Sequence, residues 1–159
     1  MMSLLAIFIA YLLGSIATSV WVGQVFYNKD VREYGSGNAG ATNTFRVLGV
    51  KAGIPVLLID VLKGWLAVKL PYLIEAVPNT TDFQLVLGIT AVIGHVFPVY
   101  VGFRGGKGIA TLLGVLIGVH PEAAGLSMLS FLLIFLITRY VSLSSIIAAI
   151  GFPVWIVIF

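Results

Sequence analysis

The chain has 159 residues and a formal net charge of +3, from nine lysines and arginines against six acidic residues. Hydrophobic residues make up 60% of it and charged residues only 9%, whereas about a quarter of the residues in a soluble domain are charged. This composition excludes a soluble globular protein and predicts an integral membrane protein. Because the chain has no cysteine and only two histidines, we expect no disulfide and no metal. We also expect no cofactor and no nucleic-acid partner.

Six apolar stretches follow one another along the chain. They are continuous rather than alternating, which favours helices, and about 20 helical residues cross about 30 Å of hydrocarbon. The predicted spans cover residues 3–26, 52–76, 83–103, 109–119, 123–137 and 141–159. The predicted fold is therefore all-α: a polytopic transmembrane bundle of six spans, forming a single domain over residues 1–159.

The loops between these spans differ in charge. The first, third and fifth loops hold the cations Lys29, Arg32, Arg46, Lys51, Arg104, Lys107 and Arg139. The second and fourth loops hold only the acids Glu75, Asp82 and Glu122. Since cytoplasmic loops are enriched in lysine and arginine, the odd-numbered loops are predicted to lie in the cytoplasm and the amino terminus outside.

The first span contains the small residues Gly14, Ser15, Ser19 and Gly23, which are expected to allow close helix contact. The loop after it contains GSGNAGATN, residues 35–43, with Arg46 at helical spacing from Asn43. Glycines and short polar side chains typically form a backbone-rich anion site, although a plain flexible loop is the alternative. The candidate anion contacts are Ser36, Gly37, Asn38, Gly40, Thr42, Asn43 and Arg46.

Two opposite charges lie near the middle of the second span. Asp60 and Lys63 are three residues apart, so they share a helix face. We expect them to form a structural ion pair that faces the bundle, because charges within a membrane generally pair.

The third span leads into VYVGFRGGKGIAT, residues 99–111, where four glycines and two cations precede a short apolar helix. This pattern predicts a phosphate cradle with free backbone N–H groups at a helix N-terminus; a positively charged turn is the alternative. It is not a Walker A loop, because Gly108 follows Lys107. The candidate contacts are Arg104, Gly105, Gly106, Lys107, Gly108 and Thr111. His95, just before this segment, is either a hydrogen-bonded structural residue or part of the site.

The fifth loop, TRYVSLSS, joins the last two spans with almost no slack. Arg139, Ser142 and Ser145 form either a third anion contact or a helix cap. His120, in the acidic fourth loop, is expected to be solvated. All three polar segments fall on the side predicted to be cytoplasmic, which favours one site for an anion that enters from the cytosol.

These three segments, together with DVLKG at residues 60–64, resemble in order and spacing the motifs of the bacterial acyl-phosphate:glycerol-3-phosphate acyltransferase family. The resemblance implies a bacterial inner-membrane enzyme whose active site faces the cytoplasm. Such an enzyme transfers a fatty acyl group from acyl phosphate to the 1-hydroxyl of sn-glycerol 3-phosphate and makes lysophosphatidic acid, a membrane lipid, and phosphate. Family members continue through a seventh span and a further motif, which this sequence is expected to lack.

On this resemblance the catalytic residues are expected to be Ser36, Arg46, His95, Lys107 and Ser142. Arg46 and Lys107 would bind phosphate oxygens, the two serines would orient groups, and a substrate phosphate would accept the hydroxyl proton. From residue chemistry alone, a transporter or channel for a small phosphorylated anion is the alternative. The sequence contains no inverted second copy of the glycine-rich motif, which disfavours a carrier.

Overall fold

A computed structural model describes residues 1–158, and within that range the chain forms eight α-helices and no strand. The helices are α1 (Met2–Gly14), α2 (Thr18–Tyr27), α3 (Ala41–Leu48), α4 (Val50–Leu73), α5 (Thr81–Val96), α6 (Ile109–Val119), α7 (Pro121–Thr138) and α8 (Val141–Ile158). Short 3-10 turns occupy Val31–Glu33 and Val99–Val101. The all-α prediction is confirmed. Phe159, the last residue of the predicted sixth span, lies outside the described residues.

Four segments of the described chain are long and apolar enough to cross a membrane. They are Met2–Tyr27, Thr81–Val101, Pro121–Thr138 and Val141–Ile158. Helix α4 is not among them, although its 24 residues make it about 36 Å long, because it carries charges in its interior. Helix α6 has only 11 residues. The membrane character of the protein is therefore confirmed, whereas spanning by α4 and α6 stays a prediction.

The chain forms two compact units, which divide after Val115, inside α6. In the first unit, α1 packs against α5 and α4, and α3 packs against the start of α4. In the second unit, which begins at Leu116, α7 and α8 pack along each other and bury Ala123, Ala124 and Phe152.

The sequence predicted a single first span over residues 3–26. In the structure this segment is two helices, with a break between Gly14 and Thr18. The break lies beside α4. The Lys63 ammonium donates to the carbonyl oxygen of Ile16 at 2.8 Å, and the Thr18 hydroxyl donates to Asp60 Oδ1 at 3.2 Å. Backbone groups that leave a helix inside an apolar region need other partners. Here Lys63 of α4 provides a partner for the carbonyl of Ile16.

The predicted Asp60–Lys63 ion pair is confirmed. Its Nζ–Oδ1 distance is 2.8 Å, and the two side chains are only 1% and 2% exposed. Lys63 lies at the C-terminal end of α1 and Asp60 at the N-terminal end of α2, so each charge is opposite in sign to the helix end that it contacts. The pair therefore stabilises both ends of the break.

Small residues allow α1 and α5 to cross at backbone contact, as predicted for Gly14. A Cβ on Gly14 would meet the carbonyl of Ala91, and one on Gly94 would meet the carbonyl of Tyr11. The Tyr11 hydroxyl also donates to the carbonyl of Phe97 at 2.8 Å. These contacts fix the C-terminal end of α5, from which the glycine-rich segment continues.

We predict that Lys63→Ala destabilises the protein by about 3–5 kcal/mol, because it leaves a buried carboxylate without its cation. Asp60 Oδ2 already has no hydrogen-bond partner among residues 1–158. The double variant Asp60→Asn/Lys63→Met should recover most of the loss, since it removes both charges. Thermal unfolding of purified protein in detergent measures the effect, with Lys51→Ala, an exposed lysine on the same helix, as the control. A Lys63→Ala protein as stable as wild type would contradict the role given to this pair.

Candidate active site

The first loop and the glycine-rich turn, which we define as residues 102–108, lie in contact. The backbone N–H of Ala39 donates to the carbonyl of Gly105 at 3.4 Å. The carbonyl oxygen of Ala39 is 2.8 Å from the position that a Cβ on Gly106 would occupy. The structure therefore brings together two of the three segments that the sequence singled out.

Within the glycine-rich turn, two N–H groups are not free, contrary to the sequence-based expectation. Gly105 donates to the carbonyl of Val96 at 3.1 Å and Gly106 to that of His95 at 3.2 Å, so both groups satisfy carbonyls at the end of α5. A Cβ on Gly105 would meet the His95 carbonyl, and one on Gly106 would meet His95 Nε2. These two glycines are required by the close approach of the backbones.

The start of α6 offers N–H groups to an anion. Gly108 has φ +75°, and its carbonyl accepts the first helical bond from Leu112 at 2.7 Å. The leading N–H groups of an α-helix lack intrahelical acceptors and carry the positive end of its dipole. Lys107 immediately precedes this end, and both Lys107 and Arg104 are exposed. The turn thus presents two cations beside a helix N-terminus, which is an arrangement suited to phosphate.

Thr111, a predicted phosphate contact, lies on the side of α6 that packs against α4, and its contact with phosphate stays a prediction. It is fully buried, and its carbonyl is so close to Gly64 of α4 that a Cβ there would collide with it. Its hydroxyl has no hydrogen-bond partner among the described residues. Thr111 packs α6 against α4, because a glycine on the facing helix admits its backbone.

In the first loop, Asn43 differs from its predicted role as a ligand contact. It is buried, its Oδ1 accepts from the N–H of Ser36 at 2.9 Å, and its Nδ2 donates to the carbonyls of Val31 and Tyr34 at 2.8 and 3.1 Å. Both ends of the amide are used by the backbone. Asn43 therefore holds the loop in shape.

The other predicted anion contacts of the first loop are wholly or partly exposed. Ser36 and Gly37 are exposed, and Asn38 and Gly40 are partly exposed. Thr42 and Arg46 are exposed on α3, four residues apart and hence on one side of the helix. These groups are accessible to a ligand that lies over the loop.

A contact that sequence reasoning missed joins this loop to the glycine-rich turn. Arg32 Nη1 donates to the carbonyl of Val101 at 2.7 Å and to that of Arg104 at 3.3 Å. Its Nε and Nη2 bind the carboxylate of Asp30, with a shortest distance of 2.7 Å. The hydrogen bond from Arg32 holds the pKa of Asp30 below its ordinary value, so the carboxylate stays charged at neutral pH. The sequence offered only the Asp-x-Arg spacing as a signal.

His95 lies between the buried ion pair and the glycine-rich turn. Its side chain is 6% exposed, its Nδ1 is 3.7 Å from Asp60 Oδ1, and its Nε2 faces the backbone of Gly106. A distance of 3.7 Å is too long for a hydrogen bond. His95 therefore packs against the glycine-rich turn, which favours the interpretation of this residue as structural.

The third segment belongs to the second unit. Helix α7 ends at Thr138 and α8 begins at Val141, and exposed Arg139 adopts φ +60° in the tight connection. Ser142 is exposed in the first turn of α8, whereas the Ser145 hydroxyl donates to the carbonyl of Val141 at 2.8 Å. Participation of Arg139, Ser142 and Ser145 in the anion site stays a prediction.

His120 has a structural role at the start of α7. Its Nδ1 accepts a hydrogen bond from the N–H of Ala123 at 3.3 Å, so it caps the helix rather than being merely solvated, as the sequence led us to expect.

Comparison with known proteins identifies one family. The glycerol-3-phosphate acyltransferase family profile matches residues 4–159. A Listeria welshimeri protein named glycerol-3-phosphate acyltransferase is 49% identical over 143 residues, which cover 90% of this chain and 72% of the relative. A Bacillus anthracis protein named glycerol-3-phosphate acyltransferase 2 is 44% identical over 158 residues, covering 99% and 81%.

The fold is also similar to a solved structure. The crystal structure of PlsY, an integral membrane glycerol 3-phosphate acyltransferase, in its glycerol 3-phosphate form superposes with a TM-score of 0.89 at 40% identity. That match covers 99% of this chain and 78% of PlsY. The lysophosphatidic acid form of PlsY gives a TM-score of 0.86 at 38% identity, covering 99% and 77%.

Proposed function

Because this chain belongs to the glycerol-3-phosphate acyltransferase family and is a membrane acyltransferase, we propose that its acyl donor is an acyl phosphate and that it acylates the 1-hydroxyl of sn-glycerol 3-phosphate. The observation that carries this proposal is the contact between the first loop and the glycine-rich turn through Ala39 and Gly105. Both segments present exposed cations, and the turn ends at a helix N-terminus. The products are lysophosphatidic acid and phosphate.

The proposed reaction needs positioning more than acid–base help. The glycerol hydroxyl oxygen attacks the acyl carbonyl carbon, an ester bond forms, and the bond between the acyl carbon and the phosphate oxygen breaks. Phosphate is a good leaving group, and a substrate phosphate oxygen accepts the hydroxyl proton. The protein then has to hold two anions side by side and neutralise their charge. We assign this task to Arg46, Lys107 and the start of α6, with Ser36 orienting the acceptor.

The membrane arrangement is part of the proposal. Lysine and arginine asymmetry supports an amino terminus outside, the first loop and the glycine-rich turn in the cytoplasm, and six spans that include α4 and α6. The substrate site then faces the cytosol at the bacterial inner membrane, beside the lipid that receives the product. Family membership favours an acyltransferase over the alternative of a transporter, and no separate observation favours a transporter.

The direct test uses membranes that contain the protein, incubated with labelled glycerol 3-phosphate and an acyl phosphate. Formation of labelled lysophosphatidic acid is expected with acyl phosphate and not with the corresponding acyl-coenzyme A. Uptake of label into sealed vesicles without an acyl donor would instead support a carrier. Turnover with the thioester alone would overturn the proposed donor.

We predict that Arg46→Ala and Lys107→Ala each lower kcat/KM by roughly 30- to 1,000-fold, or about 2–4 kcal/mol, because each removes a charge that contacts phosphate in the transition state. Lys51→Ala, which removes another exposed cation from the same side, is the control. Steady-state rates on folded protein measure the effect. Near-normal turnover in both variants would contradict these assignments.

We predict that His95→Ala loses activity moderately and leaves the pH profile of kcat/KM unchanged, because His95 supports the turn and does not accept the proton. A general base contributes about 10²–10⁴-fold and adds its own titration to the profile. Rates measured across the pH range decide between the two roles. A limb near neutrality that disappears in the variant would identify His95 as the base.

We predict the sidedness by cysteine labelling, for which the cysteine-free chain is a clean background. Cysteines at the exposed positions Ser36, Arg104 and Ser142 should react only with reagent on the cytoplasmic side, because their loops hold seven of the nine cations. Cysteines at Ala76 and Glu122 should react from outside. Labelling of Ser36→Cys or Arg104→Cys from outside would rule out a cytoplasmic substrate site.

A further inference from the structure

We propose that Arg32 is a positioning residue for glycerol 3-phosphate binding: it holds the glycine-rich turn in its anion-binding shape. This inference rests on the proposed function, since it assigns that turn to substrate phosphate. Arg32 lies outside all three of the segments that the sequence singled out. It reaches across 69 and 72 residues of sequence to the carbonyls of Val101 and Arg104.

The two carbonyls that Arg32 binds lie on either side of an unusual backbone bend. Gly102 has φ +74° and Phe103 has φ +59°, so two successive residues adopt the left-handed conformation. Residues other than glycine rarely adopt this conformation, because their Cβ clashes with the backbone. Burial does not stabilise Phe103 in it, since the residue is 56% exposed. The bend therefore depends on hydrogen bonds from outside it.

The backbone provides only part of this support. The N–H groups of Val101 and Phe103 both donate to the carbonyl of Pro98, at 3.3 and 2.9 Å. These bonds hold the N–H groups of Val101 and Phe103. They leave the carbonyls of Val101 and Arg104 to another donor. Arg32 Nη1 binds one carbonyl before the bend and one after it, so its guanidinium closes the bend from the first loop.

Asp30 orients the guanidinium for this task. Its carboxylate binds Nε and Nη2 of Arg32, and it also accepts the backbone N–H of Arg32 at 2.9 Å. The two side chains are only 16% and 17% exposed, so water screens the pair less than it would a surface pair. An arginine fork held on one edge by a carboxylate presents its remaining nitrogen in a fixed direction, which the point charge of a lysine cannot do.

The same contacts argue against a direct role in binding substrate. The Nε, Nη1 and Nη2 nitrogens of Arg32 all donate to protein oxygens already. The accessible cations of the turn are Arg104 and Lys107. Arg104 directly follows the bend, so a shift of the bend displaces it first, and a misplacement of about 1 Å can cost about 100-fold in rate or affinity.

The test compares Arg32→Lys and Arg32→Gln with Asp30→Asn and with the control Glu33→Gln, which removes an exposed charge from the same 3-10 turn. Initial rates over a range of glycerol 3-phosphate, at saturating acyl phosphate, give KM and kcat separately. We expect Arg32→Lys and Arg32→Gln to raise KM about tenfold and to lower kcat less, because a displaced turn weakens ground-state and transition-state contacts alike. Asp30→Asn should shift KM in the same direction by less, and Glu33→Gln should not shift it.

Arg32→Lys decides between geometry and charge. It keeps the positive charge but cannot hold Asp30 and the two carbonyls at once. A KM equal to that of wild type in this variant would overturn the inference, as would a fall in kcat at unchanged KM. If Arg32→Gln does not fold, Arg32→Lys and Asp30→Asn still decide the question, and coupling in the double variant Asp30→Asn/Arg32→Gln would support action as a unit.

Equilibrium binding of labelled glycerol 3-phosphate, without acyl donor, separates this inference from the proposed function. Weaker binding in Arg32→Lys than in wild type supports the positioning role even if the donor is not an acyl phosphate. Equal binding in the two proteins overturns it, whatever the wild-type protein turns over. A wild-type protein that neither binds glycerol 3-phosphate nor acylates it would overturn both.

Discussion

The buried ion pair between Asp60 and Lys63 is the interaction on which the first unit depends. It lies where the first span breaks, and it supplies a cation to the carbonyl end of α1 and an anion to the hydroxyl at the start of α2. Burying two charges is costly, and an apolar pair of similar volume is often as stable. What the charges add here is a partner of opposite charge for each helix end at the break.

That arrangement extends to the glycine-rich turn through backbone contacts. His95 lies next to the ion pair, with its Nδ1 3.7 Å from Asp60 Oδ1. Gly105 and Gly106 in turn pack against His95 at the end of α5, so closely that neither position has room for a side chain. The crossing of α1 and α5 fixes the same end from the other side, through Tyr11 and Phe97. The glycine-rich turn is therefore built on a rigid base, which suits a site that works by positioning.

Local patterns predicted much of this structure. The spacing of Asp60 and Lys63 predicted their pairing, and continuous apolar runs predicted an all-helical fold, because both depend on neighbours along one helix. The break after Gly14 was not predicted, since no proline or charge marks it and its partners lie on α4. The hydrogen bonds that the Asn43 amide and the Gly106 N–H make within the protein were not predicted either. The sequence does not show which backbone groups will fold against a polar group and bind it. Arg32 was counted only as a loop charge, since its acceptors are more than sixty residues away.

The placement of the cations separates structural charge from functional charge. Lys63 is buried and paired, and its charge is neutralised where it lies. Arg46 and Lys107 are exposed, and neither has an ion-pair partner among the described residues. A cation already neutralised by a carboxylate adds little attraction for a phosphate. An exposed cation without such a partner, next to a helix N-terminus, can still attract one. The Asp30–Arg32 pair belongs with Lys63 in this respect, because its charges are paired within the protein. In our proposal this pair holds the backbone around Arg104 in place for the phosphate.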